Sequence, residues 1–153
     1  MHRRTLPVVA LVFSLAAAAC SSGGGRPAGA PAPGNAAMAP AAAVEQFLGL
    51  ATQQKFTEMG YVFGTARGPL AEQQEPVRVQ RRMQAIAHVL RHDTYSMTGV
   101  VPLPGRPEAR RVLVQLRRGR GTVEVPFTVV EGPGGRWLVE AVDLEAAQNL
   151  RRS

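Results

Sequence analysis

Apolar side chains change their spacing once along this chain, and that change bounds what it can fold into. Between residues 44 and 90 they recur at intervals of three and four, as on one face of a helix, whereas between residues 95 and 142 they alternate, as along a strand. Val44, Phe47, Leu48 and Ala51 mark a first helix, expected over Ala41 to Gln54. A second helical or turn-rich piece is expected through Phe56, Met59 and Phe63, stopping near Gly64, and Arg67-Gly68-Pro69 reads as a loop. Pro76 suits the first turn of a third helix, which Val79, Met83, Ile86 and Leu90 carry onward. Strands are expected over Tyr95 to Leu103, over Arg111 to Arg117 with Val112, Val114 and Leu116 on one face, and over Thr122 to Val130. In a last strand, Trp137, Val139 and Ala141 would face one side and Leu138, Glu140 and Val142 the other. Pro126 argues for an edge or a bulge. A helical half followed by an alternating half reads as α+β, with helices packed on a curved antiparallel sheet.

The folded unit starts late. Ser21 to Pro40 carries prolines at 27, 31, 33 and 40 and glycines at 23, 24, 25, 29 and 34, with no large side chain before Met38. Such a segment buries too little apolar area to offset the entropy of ordering it and reads as a spacer. Residues 41–153 then suffice for one small domain.

Ahead of the spacer, Met1, His2, Arg3 and Arg4 form a short positive region, and Leu6 to Ala19 is apolar but for Pro7 and Ser14. That run is shorter than the roughly 20 residues a spanning helix needs. It ends in Ala17-Ala18-Ala19-Cys20, followed by Ser21 and Ser22. The pattern resembles a bacterial lipoprotein signal peptide. The resemblance implies removal of residues 1–19, diacylglycerol on the Cys20 sulfur, and a lipid bilayer as partner through the acylated cysteine. It implies a domain facing the periplasm or the exterior, and Ser21 rather than aspartate would favour the outer membrane in a diderm organism. Cleavage after Ala19 as an ordinary secretory signal, leaving Cys20 unmodified, is the alternative. A single cysteine excludes an intramolecular disulfide and any multi-cysteine metal site.

Basic residues are nearly all arginine. The formal charge of +7 becomes +5 once Arg3 and Arg4 leave with the leader. Arg110, Arg111, Arg117, Arg118 and Arg120 gather about an expected hairpin and Arg136 borders the next turn, a basic rim suited to phosphate-bearing lipid or another acidic envelope polymer. Nucleic acid is not an expected partner, because export removes the domain from it and no aromatics are interleaved with the basic strand.

The order of two amino-terminal helical pieces, a third helix and long hairpin strands resembles the nuclear-transport-factor-like and ketosteroid-isomerase-like superfamily. It is carried by the Val44-Phe47-Leu48 face, the Phe63-Gly64-Thr65 turn, the Val112 to Leu116 strand and Trp137-Leu138-Val139. The resemblance implies a cone-like sheet wrapped around helices, with a hydrophobic pocket. A cystatin-like sheet with one dominant helix fits less well, given the extra helical pattern before residue 92.

Candidate site residues are few. His92, Asp93 and Tyr95, beside Arg91, bring imidazole, carboxylate and phenol together in sequence. His92 also suits a helix end, and Tyr95 suits sheet packing. The acid/base set of the steroid isomerases has no counterpart here. His88, His92 and Asp93 lack an HExxH motif and a third distant ligand, so neither a metal nor a cofactor is expected. Trp137 suits the core or a pocket wall, and Glu140, if turned inward, would need a donor such as arginine. The expected function is a non-enzymatic binding or assembly domain held at the envelope, with an envelope protein or a small apolar ligand as partner. The alternative is a small-molecule enzyme with an acid/base pocket.

Overall fold

The computed structural model describes residues 40–150. The leader, Cys20 and nearly all of the spacer lie outside the described residues.

Helix α1 (Pro40–Thr52) buries Ala43, Val44, Phe47 and Leu48, the stripe expected from their spacing. Helix α2 (Phe56–Val62) follows, and Phe47 and Phe63 stack with ring centres 5.9 Å apart. The segment after α2 folds back on itself as β1 (Gly64–Thr65) and β2 (Gly68–Pro69). Only glycine fits at position 64, where a Cβ would overlap the Gly68 carbonyl oxygen and sit 2.8 Å from Pro69 Cα. Helix α3 (Pro76–Val89) has Pro76 in its first turn and turns Val79, Met83, Ile86 and Ala87 inward.

Four strands then form an antiparallel meander in the order β3 (Thr94–Leu103), β4 (Arg106–Arg118), β5 (Gly121–Glu131) and β6 (Trp137–Val142). Val112, Val114 and Leu116 of β4, with Val125, Phe127 and Val129 of β5, are fully buried against the helices. Each such side chain contributes about 1.5–3 kcal/mol of burial, so the main core lies between the helices and the middle of this sheet. Ala109, Val130 and Leu138 are in register and also buried, outside that main cluster.

The chain ends its described part in α4 (Leu144–Asn149), capped by Asp143, whose Oδ1 accepts a hydrogen bond from the Ala146 N–H at 2.9 Å. This helix was absent from the sequence expectation.

The fold is α+β, with helices against two separate, unclosed antiparallel sheets, and this corrects the expected cone. The two-stranded β1–β2 ribbon is not part of the four-stranded sheet. Its strands are two residues long, and the single bridge to the larger sheet, Phe63 to Val139, is made by the residue just before them, so they extend no ladder around the helices. The larger sheet keeps β3 and β6 as edges, and the nuclear-transport-factor-like resemblance is not upheld.

Two local expectations also change. Pro126 sits in β5, an inner strand. Its carbonyl accepts from the Asp143 N–H at 3.0 Å, so its nitrogen faces the same side, where β6 has just ended, and the missing donor costs no ladder bond. In β6, Val139 pairs with Val129 but Ala141 pairs with Thr128, which leaves Glu140 as the extra residue of a bulge. Beyond the bulge the alternation is reset, so Val142 rather than Ala141 packs on the core.

Candidate functional site

The bulge decides where Glu140 goes. An extra residue in one strand re-aims its side chain, and Glu140, with 22% of its side chain exposed, accepts from Arg106 Nη1 at 2.6 Å and from Arg106 Nη2 at 3.1 Å. Arg106 Nε donates in turn to Glu108 Oε1 at 3.0 Å. The two carboxylates hold the Arg106 pKa above its ordinary value, with the Glu140 hydrogen bond as the largest cause. Glu108 is held below the usual carboxylate range, first by its own backbone N–H and then by Arg106. The donor required for an inward Glu140 is therefore an arginine 34 positions upstream. The sequence expectation did not single out Arg106.

Beside Glu140 a cleft of about 370 Å³ opens between α3 and β6 with the start of α4. Its walls are Phe63, Ile86, Val89, Val142 and Leu144, with Ala85 and Ala141 at the rim. Arg82 and Glu140 bring opposite charges to its margin. The Arg82 guanidinium carbon lies 5.0 Å from the centre of the Phe63 ring, a cation–π contact that covers one end of the wall. An apolar floor with a few charged groups around it is the usual composition of a small-molecule site.

A second, smaller hollow of about 230 Å³ lies where α1 and α3 end and α2 begins. Thr52, Gln54, Gln84, His88, Arg91 and His92 make it polar.

The acid/base candidates are divided, with His92 lining the polar hollow, Glu140 at the apolar cleft, and Asp93 and Tyr95 in neither lining. His92 Nδ1 donates to the Leu90 carbonyl at 2.8 Å, and its ring meets Tyr95 edge-on at 5.5 Å. Asp93 is engaged at the β4–β5 turn, where its Oδ2 accepts from the Gly119 N–H at 2.7 Å and its own N–H donates to the Arg117 carbonyl at 2.8 Å. Glu140 lies level with Arg110 and Arg111, six or seven residues back along β4 from Arg117. At about 3.3 Å per residue this separates the two backbone positions by about 20 Å along the strand direction. Burial, and secondarily the Glu45 carboxylate, raises the Tyr95 phenol above its ordinary pKa of 10.0.

Trp137 is half-buried against the core, with the Arg110 guanidinium carbon 5.7 Å from its ring centre. Arg110 Nη1 also donates to the carbonyls of Pro107 and Ala109 at 2.6 and 2.7 Å. Arg136 is half-buried, and its Nε has no hydrogen-bond partner. Arg111, Arg117, Arg118 and Arg120 are exposed. The six arginines expected as one basic rim thus divide between the two ends of β4. Among the described residues, no three His, Cys, Asp or Glu side chains are grouped to hold a metal ion. No helix among them is long and apolar enough to cross a membrane.

No family model, curated protein or solved structure matches the chain. These comparisons support neither the resemblance of residues 1–22 to a lipoprotein leader nor that of the domain to a known superfamily.

Arg82, Phe63 and Arg106 escaped sequence reasoning. Phe63 falls in the second helical piece by its spacing and Arg82 lies off the apolar stripe of the third helix, and only the fold brings them beside Glu140. A signal for Arg106 was present in the Arg106-Pro107-Glu108 alternation just past a Pro-Gly turn, had Glu140 been matched with a cation.

Proposed function

We propose that this chain is a lipid-anchored domain of the cell envelope that binds a small apolar or amphiphilic molecule without transforming it. The observation that carries the binding role is the apolar cleft of about 370 Å³ between α3 and β6, with one cation and one anion at its margin. A ligand with an apolar body and a polar end would bury the first against Ile86, Val89 and Val142 and present the second to Arg82 or Glu140. The wide separation of Asp93 and Glu140, each already hydrogen-bonded, supports binding over acid/base catalysis.

The anchoring role rests on the chemistry of residues 1–22. A positive start, a short apolar run and small residues before Cys20 supply what export and sulfur acylation need, because a thiolate is the nucleophile and small side chains admit a peptidase. Acyl chains on Cys20 contribute about 0.8 kcal/mol per buried methylene, enough together for stable attachment. The spacer then links the domain to the membrane on its periplasmic or outer side.

The cleft is tested with N-phenyl-1-naphthylamine, which brightens in apolar surroundings. The full chain is expected to enhance its emission, and Ala85→Trp, which fills the cleft from its rim, to abolish most of that gain while leaving the circular dichroism unchanged. Equal enhancement in both proteins would contradict a binding cleft.

A further inference from the structure

We propose that the tip of the β4–β5 hairpin is a membrane contact, in which Arg91, Arg117, Arg118 and Arg120 dock on the headgroups of anionic phospholipids. This goes beyond anchoring through Cys20, since the docking surface is made of side chains within the folded domain and needs no acyl chain.

The turn is held in one shape. Gly119 takes a positive φ of 57°, which suits glycine. The loop after α3 grips the turn at two points, through Asp93 Oδ2 to the Gly119 N–H and the Asp93 N–H to the Arg117 carbonyl. Arg91 stands two residues from Asp93 in that same loop. Arg117, Arg118 and Arg120 thereby stand at one exposed end of the sheet, with Arg91 close by in the gripping loop, where it also borders the polar hollow.

Among the described residues none of these four arginines forms an ion pair, and the Asp93 carboxylate at the turn offsets only one of the four charges. All four side chains are exposed, and the ion pairs found among the described residues belong to Arg106 with Glu108 and Glu140. The nearest carboxylate in sequence, Asp93, spends its Oδ2 on a backbone N–H. Glu124, further along β5, accepts from the Thr98 hydroxyl. A guanidinium presents a planar fork of donors that matches phosphate oxygens, so an unpaired array of them is suited to phosphate-bearing partners.

Shape selects a surface over a single soluble ion. The arginines project from a hairpin tip and its flanking loop, which cannot enclose one phosphate but can lie on a plane of many. Each basic side chain near an anionic leaflet is worth about a fivefold gain in partitioning, and screening by salt weakens it. Loss of three is therefore expected to cost on the order of 100-fold.

The experiment uses the full chain carrying Cys20→Ser, so that attachment through sulfur is absent and a failure here leaves the anchoring proposal standing. It is cosedimented with vesicles of phosphatidylcholine alone and of equal parts phosphatidylcholine and phosphatidylglycerol. The expected result is stronger binding to the mixed vesicles, weakened by salt and lowered on the order of 100-fold by combined Arg117→Gln, Arg118→Gln and Arg120→Gln. Arg78→Gln with Arg81→Gln, exposed on α3, changes net charge without touching the hairpin and is expected to have a much smaller effect. The proposal is overturned if the hairpin variant binds like its parent or if the α3 variant loses as much. It is also overturned if both vesicle types bind equally, or if millimolar inorganic phosphate displaces the protein at constant ionic strength, which would indicate a soluble-phosphate site.

Discussion

Arg106 and Glu140 meet through two hydrogen bonds, 2.6 and 3.1 Å long, that tie the first residue of β4 to the bulged residue of β6. Regular alternation would turn Glu140 to the face opposite Val139, and the extra residue in β6 re-aims its side chain toward the cleft margin. The contact fixes the charged margin of the apolar cleft.

Removal of Arg106 leaves Glu140 half-buried without its counter-charge, and removal of Glu140 leaves Arg106 with Glu108 alone, so each single loss strands a charge that the double loss does not. Arg106→Met and Glu140→Leu are each expected to lower the urea midpoint, and the double variant to lower it by less than the sum. Strict additivity would show that the pair contributes no coupling.

Asp93 ties the loop after α3 to the β4–β5 turn through two hydrogen bonds. Asp93→Ala is expected to cost about 1 kcal/mol in urea unfolding, the usual worth of one such hydrogen bond, and to speed hydrogen exchange at the Gly119 amide. Unchanged exchange there would show that the 2.7 Å contact does not restrain the turn.

Tyr95 supplies a pH dependence of definite sign. Its raised pKa means that the folded protein favours the neutral phenol, so this stabilisation is present below the ordinary value of 10.0 and is lost as pH rises through the folded value. Followed by phenolate absorbance, Tyr95 is expected to titrate above 10.0. Glu45→Gln should bring it only part of the way back, because burial is the larger cause. A complete return in Glu45→Gln would reverse that order, and titration at or below the ordinary value would remove the effect.

Much of the helical half could be read from side-chain spacing. The intervals of Val79, Met83 and Ile86 match the buried face of α3, and the alternation of Val112, Val114 and Leu116 matches that of β4. Periodicity works there because one face meets the core and the other meets water. It fails in β6, where one extra residue at Glu140 resets the alternation and sends Val142 inward in place of Ala141. It also says nothing about sheet closure. The cone was inferred from element order, whereas the arrangement depends on a Gly-Pro ribbon whose four paired residues carry no apolar alternation. Helix α4 was missed because Leu144, Ala147 and Leu150 give too short a stripe to stand out after a strand. The site was least readable, since Phe63, Arg82, Arg106 and Glu140 lie on four separate elements or turns and share nothing in sequence.

The proposed attachment to the membrane depends on one atom, the Cys20 sulfur. The full chain and its Cys20→Ala variant, expressed in a bacterial host that processes lipoproteins, are compared by membrane fractionation and by mass measurement of the mature amino terminus. The expected result is a wild-type chain in the membrane fraction, beginning at Cys20 and heavier by its acyl groups, and a variant that loses both the added mass and the membrane association governed by it. An unmodified Cys20 in the wild type, or unchanged cleavage and membrane retention in Cys20→Ala, would contradict lipid anchoring.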